Sequence, residues 1–170
     1  MTDTKRTIYC PACGEEMRKF YIESADCYVD VCLTGCGGIY FDKDELSKMD
    51  EVHEKIPELF ELFKDKDFML VNKDKARMCP VCNHIMVKQF STQNKEVEID
   101  ECKTCGGIFL DFNELFQIRK EDLNNENDKT EFTKKVLEEF NINYKKQNNK
   151  ISNPVNTNIT DNIIKSIYNL

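Results

Sequence analysis

The chain has 170 residues, a formal net charge of −7, nine cysteines and no tryptophan. Its length suits one domain or two small ones, and its 40% hydrophobic content excludes global disorder. The longest apolar runs, such as Phe68–Val71, are too short to span a bilayer, and Met1–Ile8 lacks the apolar core of an export signal. The chain is therefore expected in the cytoplasm, away from membranes. Thiols stay reduced there, so nine of them point to metal binding.

The first cysteines form Cys10-Pro11-Ala12-Cys13. Lys19–Ile22 and Cys27–Val31 follow as two short strands able to pair as a hairpin. Cys32-Leu33-Thr34-Gly35-Cys36 is a second, looser pair, and Gly37-Gly38 comes directly after it. Glycines there allow positive φ and let backbone N–H groups turn toward sulfur. Ile39–Phe41 is a short apolar strand. Asp42, with Glu45 three residues on, is the pattern of a helix-capping box rather than a catalytic or metal-binding pair of acids. Leu46, Met49 and Val52 share one helical face, which predicts a helix through about Glu54. Residues 51–75 form a connector in which Ile56, Leu59, Phe60 and Phe63 recur at helical spacing. Pro57 suits the first turn of that helix, and its apolar face is expected to dock within the chain.

A shift of 69 residues then lays the chain on itself: Cys10, Pro11 and Cys13 fall on Cys79, Pro80 and Cys82, and Cys36-Gly37-Gly38-Ile39 falls on Cys105-Gly106-Gly107-Ile108. In the middle the shift becomes 70, matching Asp30 and Cys32 to Asp100 and Cys102. The first copy thus lacks one residue in its middle and has one extra near Gly35, inside its second pair. The second copy predicts a hairpin of Met86–Ser91 with the alternating strand around Val97 and Ile99, across the polar turn Thr92–Lys95. Ile108–Leu110 is the following strand, and Asp111 with Glu114 repeats the capping box.

Each copy therefore reads as a β-hairpin clamped by two metal-binding turns. Two Cys pairs about 20 residues apart suit a tetrahedral zinc site. The candidate ligands are Cys10, Cys13, Cys32 and Cys36 for one ion and Cys79, Cys82, Cys102 and Cys105 for a second. A unit of about 40 residues buries too little apolar surface to fold alone, and metal binding supplies the remainder. Iron remains open to four cysteines. The ninth, Cys27, falls on Val97 and is expected on a buried strand face; a spare ligand or redox-active thiol is the alternative. His84, two residues after Cys82, could replace a ligand, although full cysteine sets leave no vacancy for it; His53 is the other histidine.

Beyond Arg119, Lys120–Lys129 is a polar linker, and Phe132, Val136, Leu137 and Phe140 mark an amphipathic helix. Gln147–Thr160 is rich in asparagine. Ile159, Ile163, Ile164, Ile167 and Leu170 form a last apolar stripe. The expected layout is a first ribbon with its helix over 1–50, the connector over 51–75, a second ribbon with its helix over 76–120, and a linker with C-terminal helices over 121–170.

The run C-P-x-C, about 20 residues, then D-x-C-x-x-C-G-G-I-aromatic-apolar-D-x-x-E-L resembles the transcription factor IIB-type zinc-finger domain of small prokaryotic proteins. The second copy carries every element, from Cys79-Pro80-Val81-Cys82 through Asp100 and Cys102 to Glu114-Leu115. The first departs only at the extra residue between Cys32 and Cys36. The resemblance implies a small α+β protein of two tandem zinc ribbons with a C-terminal helical tail, two zinc ions per chain, and the eight cysteines as ligands. It assigns no partner.

Charge weighs on function. Residues 1–50 hold six basic and ten acidic groups, and residues 76–120 hold six of each. Four thiolates around each Zn²⁺ move the formal −7 to about −11. Phosphate binding runs on clustered Lys and Arg; the best set is Arg77, Lys88, Lys95 and Lys103. Four-cysteine sites are closed to substrate, and no catalytic triad, phosphate loop or nucleotide fingerprint is visible. The expectation is a non-enzymatic binding or scaffold module for a protein partner. The alternative is a transcription-related nucleic-acid binder.

Overall fold

The structure, a computed structural model, describes residues 6–50, 56–91 and 97–125. Arg18–Ile22 (β1) and Cys27–Val31 (β2) pair antiparallel over five residues, from Arg18 opposite Val31 to Ile22 opposite Cys27. Their connection is a 3-10 turn, Glu23–Ala25, closed by Asp26 at φ 47°, a left-handed position that Asp tolerates. Ile39–Phe41 (β3) lies against β2. The second copy repeats the plan with Val87–Phe90 (β4), Glu98–Glu101 (β5) and Ile108–Leu110 (β6). The predicted strands are all present. The turn Thr92–Lys95, His53 and the tail from residue 126 onward lie outside the described residues.

The two copies do not fold side by side as separate ribbons. Their last strands pair with each other, giving one six-stranded antiparallel sheet in the order β1-β2-β3-β6-β5-β4. In that central pair Tyr40 stands opposite Phe109. These two residues are equivalent under the 69-residue shift, so a local two-fold axis passes between them. The duplicated chain thus makes within itself the self-complementary contact of a symmetric dimer.

Residues directly opposite in an antiparallel pair share a face, and the sheet has two distinct ones. Val29, Val31, Ile39, Phe41, Ile99 and Leu110 belong to the larger apolar core. That core is covered by Pro57–Phe63 (α1) and Glu114–Asn125 (α2). Pro57 occupies the first turn of α1, and Ile56, Leu59, Phe60 and Phe63 are buried in the core, as their spacing predicts. Phe60 stacks on Phe116 of α2 with ring centroids 4.7 Å apart, and Phe63 meets Phe68 edge-on at 5.7 Å. The connector helix therefore seals the core of both copies. Tyr40 and Phe109 point to the other face, where a second cluster gathers Ile8, Met17, Met86 and the thiols.

The capping acids behave as the sequence suggests. The Asp42 N–H donates to Glu45 Oε2 at 2.7 Å, and the Asp111 N–H donates to Glu114 Oε2 at 2.8 Å; this is the return bond of a capping box. The helix expected after the first copy does not form among the described residues: only a 3-10 turn, Leu46–Lys48, is present. Ser47 donates to the Asp44 carbonyl at 3.0 Å, a side-chain bond that competes with helix propagation. Met49 leaves the helical region at φ −141°, ψ −4°. The matching stretch of the second copy, Leu115–Arg119, has neither Ser nor Asp and continues as α2.

Candidate metal centres

Each metal-binding turn is a tight backbone loop. Gly14 N–H donates to the Cys10 carbonyl at 2.9 Å, and Asn83 N–H donates to the Cys79 carbonyl at 2.9 Å. The second turns close in the same way, through Gly37 N–H to Cys32 O at 2.9 Å and Gly106 N–H to Cys102 O at 2.8 Å. Gly37 and Gly106 sit at φ 73° and 78°, the positive values expected. Their N–H groups, however, bond carbonyl oxygens rather than sulfur. Sulfur contact falls one residue later in the second copy, where the Gly107 N–H faces Cys105.

The turns bring four sulfurs together twice: Cys10, Cys13, Cys32 and Cys36 form one group, and Cys79, Cys82, Cys102 and Cys105 the other, each with all sulfurs within 4.8 Å of one another. Cys10–Cys36 and Cys13–Cys32 are both 3.4 Å apart; Cys79–Cys105 and Cys82–Cys102 are 3.6 and 3.3 Å apart. Sulfurs about 2.3 Å from a central ion in a tetrahedron lie at about this separation. The extra residue in the first copy does not open the site. It is accommodated beside Gly35, where a Cβ would stand 2.7 Å from Cys13 Sγ and 2.8 Å from Cys32 Sγ. Only glycine fits that close to the sulfurs.

The crowded thiols share protons unequally. Cys32 is pulled down to about 2 by hydrogen bonds from Cys10 and Cys36, while Cys10 is pushed up to about 12 by its bond to Cys32 and by burial. Burial opposes ionisation of Cys102, but the Cys105 N–H and the Cys82 thiol outweigh it and bring Cys102 down to about 6. Burial raises Cys105 to about 12. A metal that binds either group displaces the protons its thiols still hold.

Cys27 lies outside both groups. It is buried in β2 opposite Ile22, on the helix-covered face of the sheet. His84 is exposed, with Nδ1 3.0 Å from the Cys82 carbonyl oxygen, and takes no place among the sulfurs.

The basic residues nominated for phosphate contact are placed unequally: Arg77 is buried, Lys88 is partly exposed and Lys103 is exposed. Arg77 is buried, with bonds of 2.8 Å to Asp100 and to Asp111, and its guanidinium lies over the Phe109 ring at 4.9 Å. Burial opposes its charge, but the Asp111 bond outweighs this and raises its pKa. Arg77 is thus a structural cation and cannot reach a phosphate. Lys88 shares Asp100 at 3.2 Å, and Lys103 donates to Glu101 and to Gln89, both at 2.7 Å. Lys95 lies outside the described residues.

One neighbour of the sulfurs escaped the sequence reading. Tyr40, in the first copy, brings its hydroxyl 3.5 Å from Cys79 Sγ and 3.8 Å from Cys105 Sγ in the second. Burial and the Cys79 sulfur raise the pKa of that hydroxyl and keep it protonated. The repeat aligns Tyr40 with Phe109, but nothing in their spacing reveals that the copies pair through these strands.

No curated protein and no solved structure gives a significant match to the chain. A family model described as a transcription factor zinc-finger matches residues 9–51 and again 78–121, which together make up about half of the chain. Each match contains one complete four-sulfur group. The chain belongs to this transcription factor zinc-finger family, as two tandem zinc ribbons whose Cys₄ sites hold two zinc ions.

Proposed function

We propose that the protein is a non-enzymatic binding or scaffold module whose two zinc ions are structural and whose ligand is another protein. The observation that carries this reading is the outer edge of the second ribbon. Among the described residues of that edge, Lys88 and Lys103 pair with the ribbon's own polar groups, while Met78, Ile85, Val87 and Phe90 stand exposed beside them. Desolvated apolar and aromatic side chains are what protein interfaces are built around, whereas phosphate recognition needs available Lys and Arg. β4 ends the sheet among the described strands, a position suited to receiving an extended segment of a partner. Four cysteines per ion leave no open coordination position for substrate, which supports a non-enzymatic role.

The competing reading, a transcription-related nucleic-acid binder, is favoured by the family description alone. Fluorescence anisotropy with DNA and RNA separates the two. Dissociation constants weaker than about 1 μM at near-physiological salt, no better than non-specific association, are expected. Tight, salt-sensitive binding would favour the competing reading. A photo-crosslinking residue in place of Phe90 is expected to capture a specific protein in the native cell, and one in place of the exposed Tyr9 of the first ribbon is not.

A further inference from the structure

The two zinc sites are related by the local two-fold axis, and the equivalent rings laid toward them across the seam differ by one hydroxyl. Across the central strand pair, each ribbon lays one ring against the other ribbon's glycine. The Phe109 ring reaches Gly38, where a Cβ would stand 2.3 Å from its Cζ; the Tyr40 ring reaches Gly107, where a Cβ would stand 1.9 Å from its hydroxyl. Both rings are fully buried. Tyr40 ends in Oη, 3.5 Å from Cys79 Sγ and 3.8 Å from Cys105 Sγ. Phe109 ends in carbon and has nothing to donate to Cys10 or Cys36.

Metal-bound thiolates only accept hydrogen bonds, so the Tyr40 hydroxyl is the donor when the site is loaded. The second site has two buried and two partly buried cysteines; four thiolates and one Zn²⁺ carry excess negative charge, and donors around them offset that charge. We propose that Tyr40 is a positioning residue for the second ribbon's metal, supplied by the first ribbon, and that the two zinc ions are unequal because of it. The second ribbon holds its ion longer, and the first, faced by Phe109, gives up its ion first. Metal retention in one ribbon then depends on its pairing with the other.

The test uses the full chain loaded with ¹¹³Cd, a divalent ion that takes the same four sulfurs and is visible by NMR. Two resonances are assigned to their ribbons through couplings to cysteine β-protons. Y40F removes the hydroxyl and keeps the ring. In Y40F the second ribbon's resonance is expected to move, and release of its ion to excess EDTA to accelerate about ten-fold, the lower range for loss of an outer-shell partner. The first ribbon's resonance and release rate are expected to stay as they were. An unchanged second site, or equal changes at both, would overturn the proposal, because a packing role would not single out one ion. The unmodified protein gives an independent measure: the first ribbon's ion must leave first, and the reverse order or equal rates would overturn the proposal as well.

Discussion

Nine cysteines divide into ligands and one buried hydrophobe according to which face of the sheet each reaches. Cys27 sits opposite Ile22 among Val29, Val31 and Met49, whereas Cys32, just past the end of β2, reaches the sulfurs on the other face. One strand thus leads from a core thiol to a ligand thiol, because alternate residues of a strand point to opposite faces. Cys27→Ala is expected to keep two zinc ions per chain by elemental analysis. It should lose about 1 kcal/mol of stability, the order of one small buried group. Recovery of one zinc per chain would show that Cys27 serves the first site. The glycines follow the same residue-scale logic. Gly38 and Gly107 are required by the ring that each one accommodates, a need that only the folded contact reveals.

Among the elements, the hairpins, the connector helix and the metal-binding turns are legible in the sequence because their signals are local. Val97 and Ile99 alternate with polar residues, Ile56 to Phe63 recur at helical spacing, and the cysteine pairs have fixed separations. The pairing of β3 with β6 is not legible. Each strand has three residues, and no turn joins them in sequence to set a register. Arg77 is misread for a related reason, since composition counts charges without placing them. In the first copy Ile8 takes the equivalent position, and Asp42 is only partly buried. In the second copy Asp111 is buried and needs Arg77. Arg77→Ile therefore leaves Asp100 with Lys88 alone and strips Asp111 of its ion-pair partner. Breaking a buried pair from one side costs about 3–5 kcal/mol. Chemical denaturation of the zinc-loaded protein should show that loss, and the double variant Arg77→Ile with Asp111→Ala should recover part of it. If the single variant loses less than about 1 kcal/mol, a surface-pair value, Arg77 is not a buried structural cation.

At the scale of the molecule, the two copies of the repeat build one continuous sheet, and a module of about 40 residues would bury too little surface alone. The seam is the evidence. Phe41 and Leu110 flank the Tyr40–Phe109 pair and are both buried on the helix-covered face. There they join the core under α1 and α2 that residues of both copies line. A defect at the seam should therefore weaken both ribbons, although it touches no ligand. Phe41→Ala removes a buried ring at a cost of about 3–5 kcal/mol. If the sheet unfolds as one unit, the variant shows a single transition in denaturant. Cysteine labelling in the first ribbon and in the second should then report the same lowered midpoint, the coincidence of probes that defines two-state behaviour. Independent ribbons would instead give two midpoints, with Cys79, Cys82, Cys102 and Cys105 still protected at the concentration where Cys10, Cys13, Cys32 and Cys36 have become reactive. Coincident midpoints would mean that zinc in either ribbon stabilises the whole sheet, because the seam transmits what each metal site contributes.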